Sequence, residues 1–145
     1  MLRDELKTVI VTAAVILEEK RVLVTQRNEA SHYGLFWEFP GGKIKEGEEP
    51  RQALRRELQE ELGIDAAVGT IFDAVFYVYP EYPVLLLFYF CRVERGVPRP
   101  LGCRDLRWVS SDEIEKLTML PADAPVLERL KNHLITKDNK KGVMG

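Results

Sequence analysis

Between Gly42 and Ile64 the sequence reads GKIKEGEEPRQALRRELQEELGI, which sets Glu48, Arg56, Glu57, Glu60 and Glu61 close together behind a Gly41-Gly42 pair. Pro50 suits the first turn of a helix, where its missing N–H is not needed, and Gly63 suits the position just past the end. The spacing predicts a helix over Pro50 to Leu62. At 100° per residue, Ala53, Glu57, Glu60 and Glu61 share one face, and Leu54, Leu58 and Leu62 stack on the neighbouring one. Like charges at these spacings cost a helix roughly 0.2 to 0.5 kcal/mol per pair, and Arg56 neutralises only part of the array. A divalent cation reverses that sign. Hard cations such as Mg²⁺ take oxygen ligands and share them with substrate phosphates, so the array reads as half of a metal–phosphate site. The plain alternative for a charged face is solvation; the spacing and the adjoining glycine pair argue against it.

The surrounding elements must hold this helix in place. Thr8 to Leu17 and Val22 to Gln26 are β-branched runs separated by charged residues and are expected to form a hairpin. The second run leads into a polar and aromatic loop, Asn28 to Phe36, which contains His32 and Tyr33. Trp37 to Phe39 is a short strand ending at Pro40, after which Gly41-Gly42 permits a tight turn or a close approach to a ligand. After the acidic helix, Thr70 to Tyr79 and Val84 to Val93 flank the turn Pro80-Glu81-Tyr82-Pro83 and predict a second hairpin. A loop over 95–104 precedes a brief strand, Leu106 to Val109. Ser110 with Glu113 is a capping-box signature for a short helix, Asp112 to Leu117. A final amphipathic helix is expected from about Ala124 to Ile135. The order, mainly hairpins with one helix between the sheet-forming halves and one at the end, suggests an α/β sandwich with a mixed sheet.

The chain has 145 residues, so one domain over 1–136 is expected, with a polar, glycine-containing tail over 137–145 that should be disordered. A net charge of -2 gives no global pull toward a polyanion, so binding to a nucleic-acid polymer is not expected. Cys91 and Cys103 form neither a CxxC pair nor a secreted disulfide framework and read as reduced thiols. No apolar run approaches the roughly 20 residues that span a bilayer, and Met1 to Asp4 does not begin a signal peptide. The expectation is a soluble cytoplasmic protein without membrane partners, monomeric or homodimeric.

The stretch resembles the Nudix box, Gly-x5-Glu-x7-Arg-Glu-aliphatic-x-Glu-Glu-x-Gly-aliphatic. Gly42, Glu48, Arg56, Glu57, Leu58, Glu60, Glu61, Gly63 and Ile64 fill every specified position. Val22 to Arg27, Trp37 to Lys43, Leu106 to Val109 and Pro121 to Leu130 are similar to segments of MutT-type Nudix hydrolases. The resemblance implies an α/β/α sandwich around a mixed sheet and hydrolysis of a nucleoside diphosphate linked to a further group. For MutT-type members the substrate is usually a nucleoside triphosphate and the products are the monophosphate and pyrophosphate. It further implies that Glu57, Glu60 and Glu61, with the carbonyl of Gly41, hold Mg²⁺ or Mn²⁺. Arg56 would orient Glu57, and Glu57 or Glu48 would accept the proton of the attacking water. Arg27 is similar to the family Arg that contacts sugar or phosphate, His32 matches a family loop position near the substrate, and Lys43, beside the glycine turn, is within reach of a phosphate oxygen. A sugar or dinucleotide derivative as substrate, or a non-catalytic nucleotide-sensing role, are the alternatives.

Asp123, in Pro121-Ala122-Asp123-Ala124-Pro125, resembles the position at which MutT presents an Asn to its base. An ionised Asp only accepts hydrogen bonds, whereas Asn also donates, so the two read a base edge differently. Asp123 could accept from guanine N1–H and N2–H₂ or from the cytosine amino group; it could equally cap the last helix. Tyr33, Phe36, Phe76 and Tyr77 are aromatic candidates for stacking a base, and His133 reads as inert. One departure stands out: many MutT-type members place a further metal-binding Glu where this chain has Gly102, so either the site works with fewer protein ligands or Glu48 or Asp105 substitutes.

Overall fold

The computed structural model describes residues 7–144, with only the backbone described from residue 135 onward. Val9–Glu18 (β1) and Arg21–Gln26 (β2) form the expected hairpin, with Leu17 opposite Val22 and Glu18 opposite Arg21. Glu19 and Lys20 turn the chain with φ of 45° and 69°. Left-handed backbone at both positions matches the twist of the flanking strands but favours Asn and Gly over ordinary side chains. Trp37–Glu38 (β3) pairs with β2, and Gly41–Lys43 (β4) lies antiparallel to β1.

The helix Pro50–Leu62 (α1) has the boundaries its sequence predicts. The Glu49 carboxylate accepts the N–H groups of Arg51 and Gln52 at its start, and Gly63 ends it in the left-handed conformation with its N–H on the Gln59 carbonyl. Arg99 donates its N–H to the Leu62 carbonyl, and Leu101 and Gly102 donate theirs to the Glu61 carbonyl. The loop around 99–102 therefore satisfies the carbonyls that a helix end leaves open.

Asp65–Val78 (β5) and Pro83–Arg95 (β6) make the second hairpin, and β6 runs parallel to β1 from Val84 opposite Val9 to Cys91 opposite Ile16. β5 starts earlier than Thr70 because register shifts between Val68 and Ile71, and between Ile71 and Asp73, break the alternation that would reveal a strand. Asp105–Val109 (β7) flanks β2. The sheet is mixed and seven-stranded, in the order β3-β2-β1-β6-β5, with β4 on β1 and β7 on β2.

The capping box at Ser110 and Glu113 forms, but its helix, Ser111–Ile114 (α2), stops before the expected Leu117. The chain instead turns so that Thr118 accepts the Trp37 N–H and Leu120 donates to the Trp37 carbonyl. The last helix, Ala124–Met144 (α3), continues past Ile135. The backbone is helical over 137–144. No proline follows Pro125, and the lysines of this segment are good helix formers.

Successive residues of β1 alternate between two cores. Ala14 and Ile16 join Leu54, Leu58, Leu62 and Leu23 beneath α1, while Ala13 and Val15 join Phe88, Val126 and Leu130 beneath α3. This is the α/β/α sandwich. Among the described residues no helix is long and apolar enough to cross a membrane. Replacing Glu19 by Asn together with Lys20 by Gly should relieve the left-handed turn and raise stability by about 1 kcal/mol, read as a higher midpoint in urea denaturation.

Candidate active site

Burial of the leucine face of α1 against the sheet presents its glutamate face to β4. Gly41 has φ of 153°, and a Cβ there would lie 2.0 Å from the Thr12 carbonyl oxygen. A Cβ on Gly42 would lie 2.4 Å from the carboxyl carbon of Glu57. The glycine pair therefore lets β4 pass close to β1 and gives the Glu57 carboxylate its seat on the backbone.

Arg56 ties the acidic residues together. Its Nε and Nη2 donate to the two carboxylate oxygens of Glu48 at 2.8 and 2.9 Å, and Nη1 donates to Glu57 at 3.0 Å and Glu60 at 2.9 Å. Nη2 also reaches the Lys43 carbonyl at 3.2 Å. The Arg56 bonds, with the Lys45 N–H, pull Glu48 down to about 2. Its lone pairs are committed, which makes it a poor proton acceptor near neutral pH.

Glu61 lies outside that network. Burial, then the charges of Glu38 and Glu57, push its carboxyl up to about 8, although the Gly41 N–H and the Thr25 hydroxyl pull the other way. A carboxylate in this position stays protonated near pH 7 unless a positive charge arrives. Among the described residues no three acidic, His or Cys side chains are already disposed around a common metal position, because Arg56 holds Glu57 and Glu60. The donor set nevertheless fits a hard divalent cation: it is all oxygen, and Glu61 offers a half-buried carboxyl that resists ionising until a positive charge arrives.

Beside Glu61 opens a cavity of about 510 Å³, lined also by Gly41, Gly42, Lys43, Arg27, His32 and Asp123. The structure thus brings all four residues singled out for substrate contact to one cavity with Glu61 and the glycine pair. Arg27 donates to both oxygens of Glu38 at 3.2 and 3.3 Å and to the His32 carbonyl at 2.7 Å. It organises the 28–36 loop as well as lining the cavity. His32 Nε2 lies 3.2 Å from Glu81, and the Lys43 ammonium lies over the Tyr82 ring.

Asp123 is buried, and its carboxylate accepts the Phe39 N–H at 3.3 Å. Its backbone carbonyl, rather than its side chain, takes the Val126 N–H in the first turn of α3. Burial, then the charge of Glu38, push its carboxyl well up. Protonation gives it a donor as well as acceptor capacity, which brings it closer to Asn than an ionised Asp is.

Of the aromatic candidates, only Tyr33 lines the cavity. Phe36 packs on Tyr33, Tyr77 packs on Tyr79, and Phe76 is an exposed residue of β5. His133 packs beside Phe90. Asp105 does not line the cavity and faces Arg107, and Gly102 rests against Glu61. Sequence reasoning missed Glu38 and Tyr79. Buried Trp37 and Phe39 flank Glu38, so strand alternation places Glu38 on the α1 side of the sheet, and that signal was available.

Residues 7–130 match the NUDIX domain. The chain is 34% identical over 130 residues to the 8-oxo-dGTP diphosphatase of Haemophilus influenzae, covering 87% of this chain and 94% of that protein. It is 35% identical over 123 residues to the CTP pyrophosphohydrolase of Escherichia coli, covering 85% and 91%. The crystal structure of the MutT protein from Methanosarcina mazei Go1 superposes with a TM-score of 0.78 at 27% identity, covering 89% of this chain and 96% of that one.

The folded Glu61 binds a proton above its ordinary 4.5 and releases it only near 8. The folded state therefore holds more protons than the unfolded state in this window, and stability falls as pH rises through it. In EDTA the melting temperature should drop between pH 5 and pH 9. Glu61→Gln should flatten that dependence, whereas an unchanged slope in the variant would remove Glu61 as its source.

Proposed function

This chain belongs to the NUDIX family as a MutT-type pyrophosphohydrolase, and from that premise we propose that it hydrolyses modified or oxidised nucleoside triphosphates to the monophosphate and pyrophosphate, with Mg²⁺ or Mn²⁺ as cofactor. One observation carries the reading. Glu61, the Gly41-Gly42 turn, Lys43, Arg27 and Asp123 line a single cavity, and the reading gives the first two to a cation, the next two to phosphates and the last to a base. The H. influenzae and E. coli relatives are named for 8-oxo-dGTP and CTP, and both bases carry an exocyclic amine that Asp123 can meet.

In this reading Glu57, Glu60 and Glu61, with the Gly41 carbonyl, hold the cation. When bound, it supplies charge neutralisation at the phosphates and lowers the pKa of a coordinated water. Attack by water at phosphorus breaks one phosphoanhydride bond, and the proton passes to Glu57. Glu57 suits that role better than Glu48, because Arg56 reaches it with a single hydrogen bond while holding both oxygens of Glu48. Arg56 keeps Glu57 oriented on Gly42. Lys43, exposed at the cavity, neutralises phosphate, and Arg27 positions the loop carrying His32 while presenting positive charge to the same space. Asp123 reads the base.

Purified protein with Mg²⁺ should release pyrophosphate from a panel of normal and oxidised nucleoside triphosphates, fastest from bases with an exocyclic amine. No metal-dependent release across the panel would dismiss the proposal. Glu57→Gln, Glu60→Gln and Glu61→Gln should each lower kcat by at least about a hundredfold with the circular dichroism spectrum unchanged. Near-normal turnover in any of them would remove that residue from the metal site or the chemistry.

A further inference from the structure

Tyr79 stands just past β5, before Pro80, and lines the cavity with Asp123. Its ring is held between two others, with centroids 4.7 Å from Tyr77 and 5.3 Å from Tyr33. Its hydroxyl oxygen accepts the backbone N–H of Ala122 at 3.1 Å, bridging 43 residues of sequence. Among the described residues no acceptor takes the hydroxyl proton.

Two contacts thus fix the segment that carries Asp123 from opposite partners. Phe39 grips the carboxylate of Asp123 through its N–H, and Tyr79 grips the preceding peptide. Leu120 N–H on the Trp37 carbonyl ties down the start of the same segment. Of these, only the Tyr79 bond depends on a side chain other than that of Asp123 itself.

We infer that Tyr79 is a positioning residue for base recognition: its hydroxyl sets the Ala122 peptide so that the Asp123 carboxyl meets the base edge of a nucleotide in the cavity. The inference rests on the assignment of Asp123 as base reader. A phenylalanine at 79 keeps the ring stack and the cavity wall and removes only the acceptor. A buried amide loses its partner, and the carboxyl beside it loses its fixed bearing.

A substrate with no base isolates this role from a merely structural one. Tyr79→Phe should lower kcat/KM for the preferred nucleoside triphosphate by about tenfold, mainly through KM, and leave cleavage of ribose 5-triphosphate unchanged. The Ala122 amide should exchange its hydrogen faster in the variant, and the melting temperature should fall by a few degrees. Asp123→Ala, measured beside it, should also lower the ratio of nucleotide to ribose triphosphate cleavage. If Asp123→Ala lowers that ratio and Tyr79→Phe does not, the positioning role is overturned while Asp123 remains the base reader. If Asp123→Ala leaves the ratio unchanged, the base-reading assignment itself fails and takes the inference with it. An equal loss on both substrates in Tyr79→Phe would show a structural role and overturn the inference as well.

Discussion

The Glu61 carboxyl, which resists ionising unless a positive charge meets it, is the constraint around which the site is arranged. The carboxyl sits on the last turn of α1, buried beside Glu38 and Glu57, and is pushed up to about 8. Ionising it there without a partner is costly, so it keeps its proton until a cation arrives. The Gly41 N–H and the Thr25 hydroxyl offset part of that cost, and a bound cation would offset the rest. A metal site that stores its charge as a proton also couples cation binding to proton release.

Arg56 performs the complementary task on the exposed side of the same helix. It fastens Glu48 and the loop before α1 to Glu57 and Glu60, so the array tolerates its own repulsion without a metal. The glycine pair fixes the distance between helix and sheet. Any side chain at 42 would collide with the Glu57 carboxyl, and any at 41 with the backbone of β1. On the other side of the cavity, residues 28–36 and 79–82 meet through the His32–Glu81 contact and the Tyr33–Tyr79 ring pair.

The sequence disclosed α1 to the residue because its signals are local: Pro50 and Gly63 at the ends, leucines and glutamates on adjacent faces. The hairpins were equally plain, since strand and turn residues alternate in short runs. What escaped was set by distant partners. The early start of β5 is hidden by bulges, and α2 is cut short because Trp37 claims the carbonyl of Thr118 and the N–H of Leu120. At the site, Arg27, His32, Lys43 and Asp123, singled out from sequence, line one cavity with Glu61 of the motif. Glu38 was within reach of strand alternation, whereas Tyr79 was not, because its bond to Ala122 spans the molecule. Nor could sequence reveal that burial and the charge of Glu38 push the Asp123 carboxyl up.

The most direct test of the account is a carbon-13 NMR titration of the Glu61 carboxyl, first in EDTA and then with saturating Mg²⁺. Without metal, Glu61 should titrate near 8 and well apart from the exposed glutamates, and Mg²⁺ should leave it ionised throughout the neutral range. A Glu61 that is already ionised at pH 5 without metal, and whose signal does not respond to Mg²⁺, would contradict the claim that a cation completes this site.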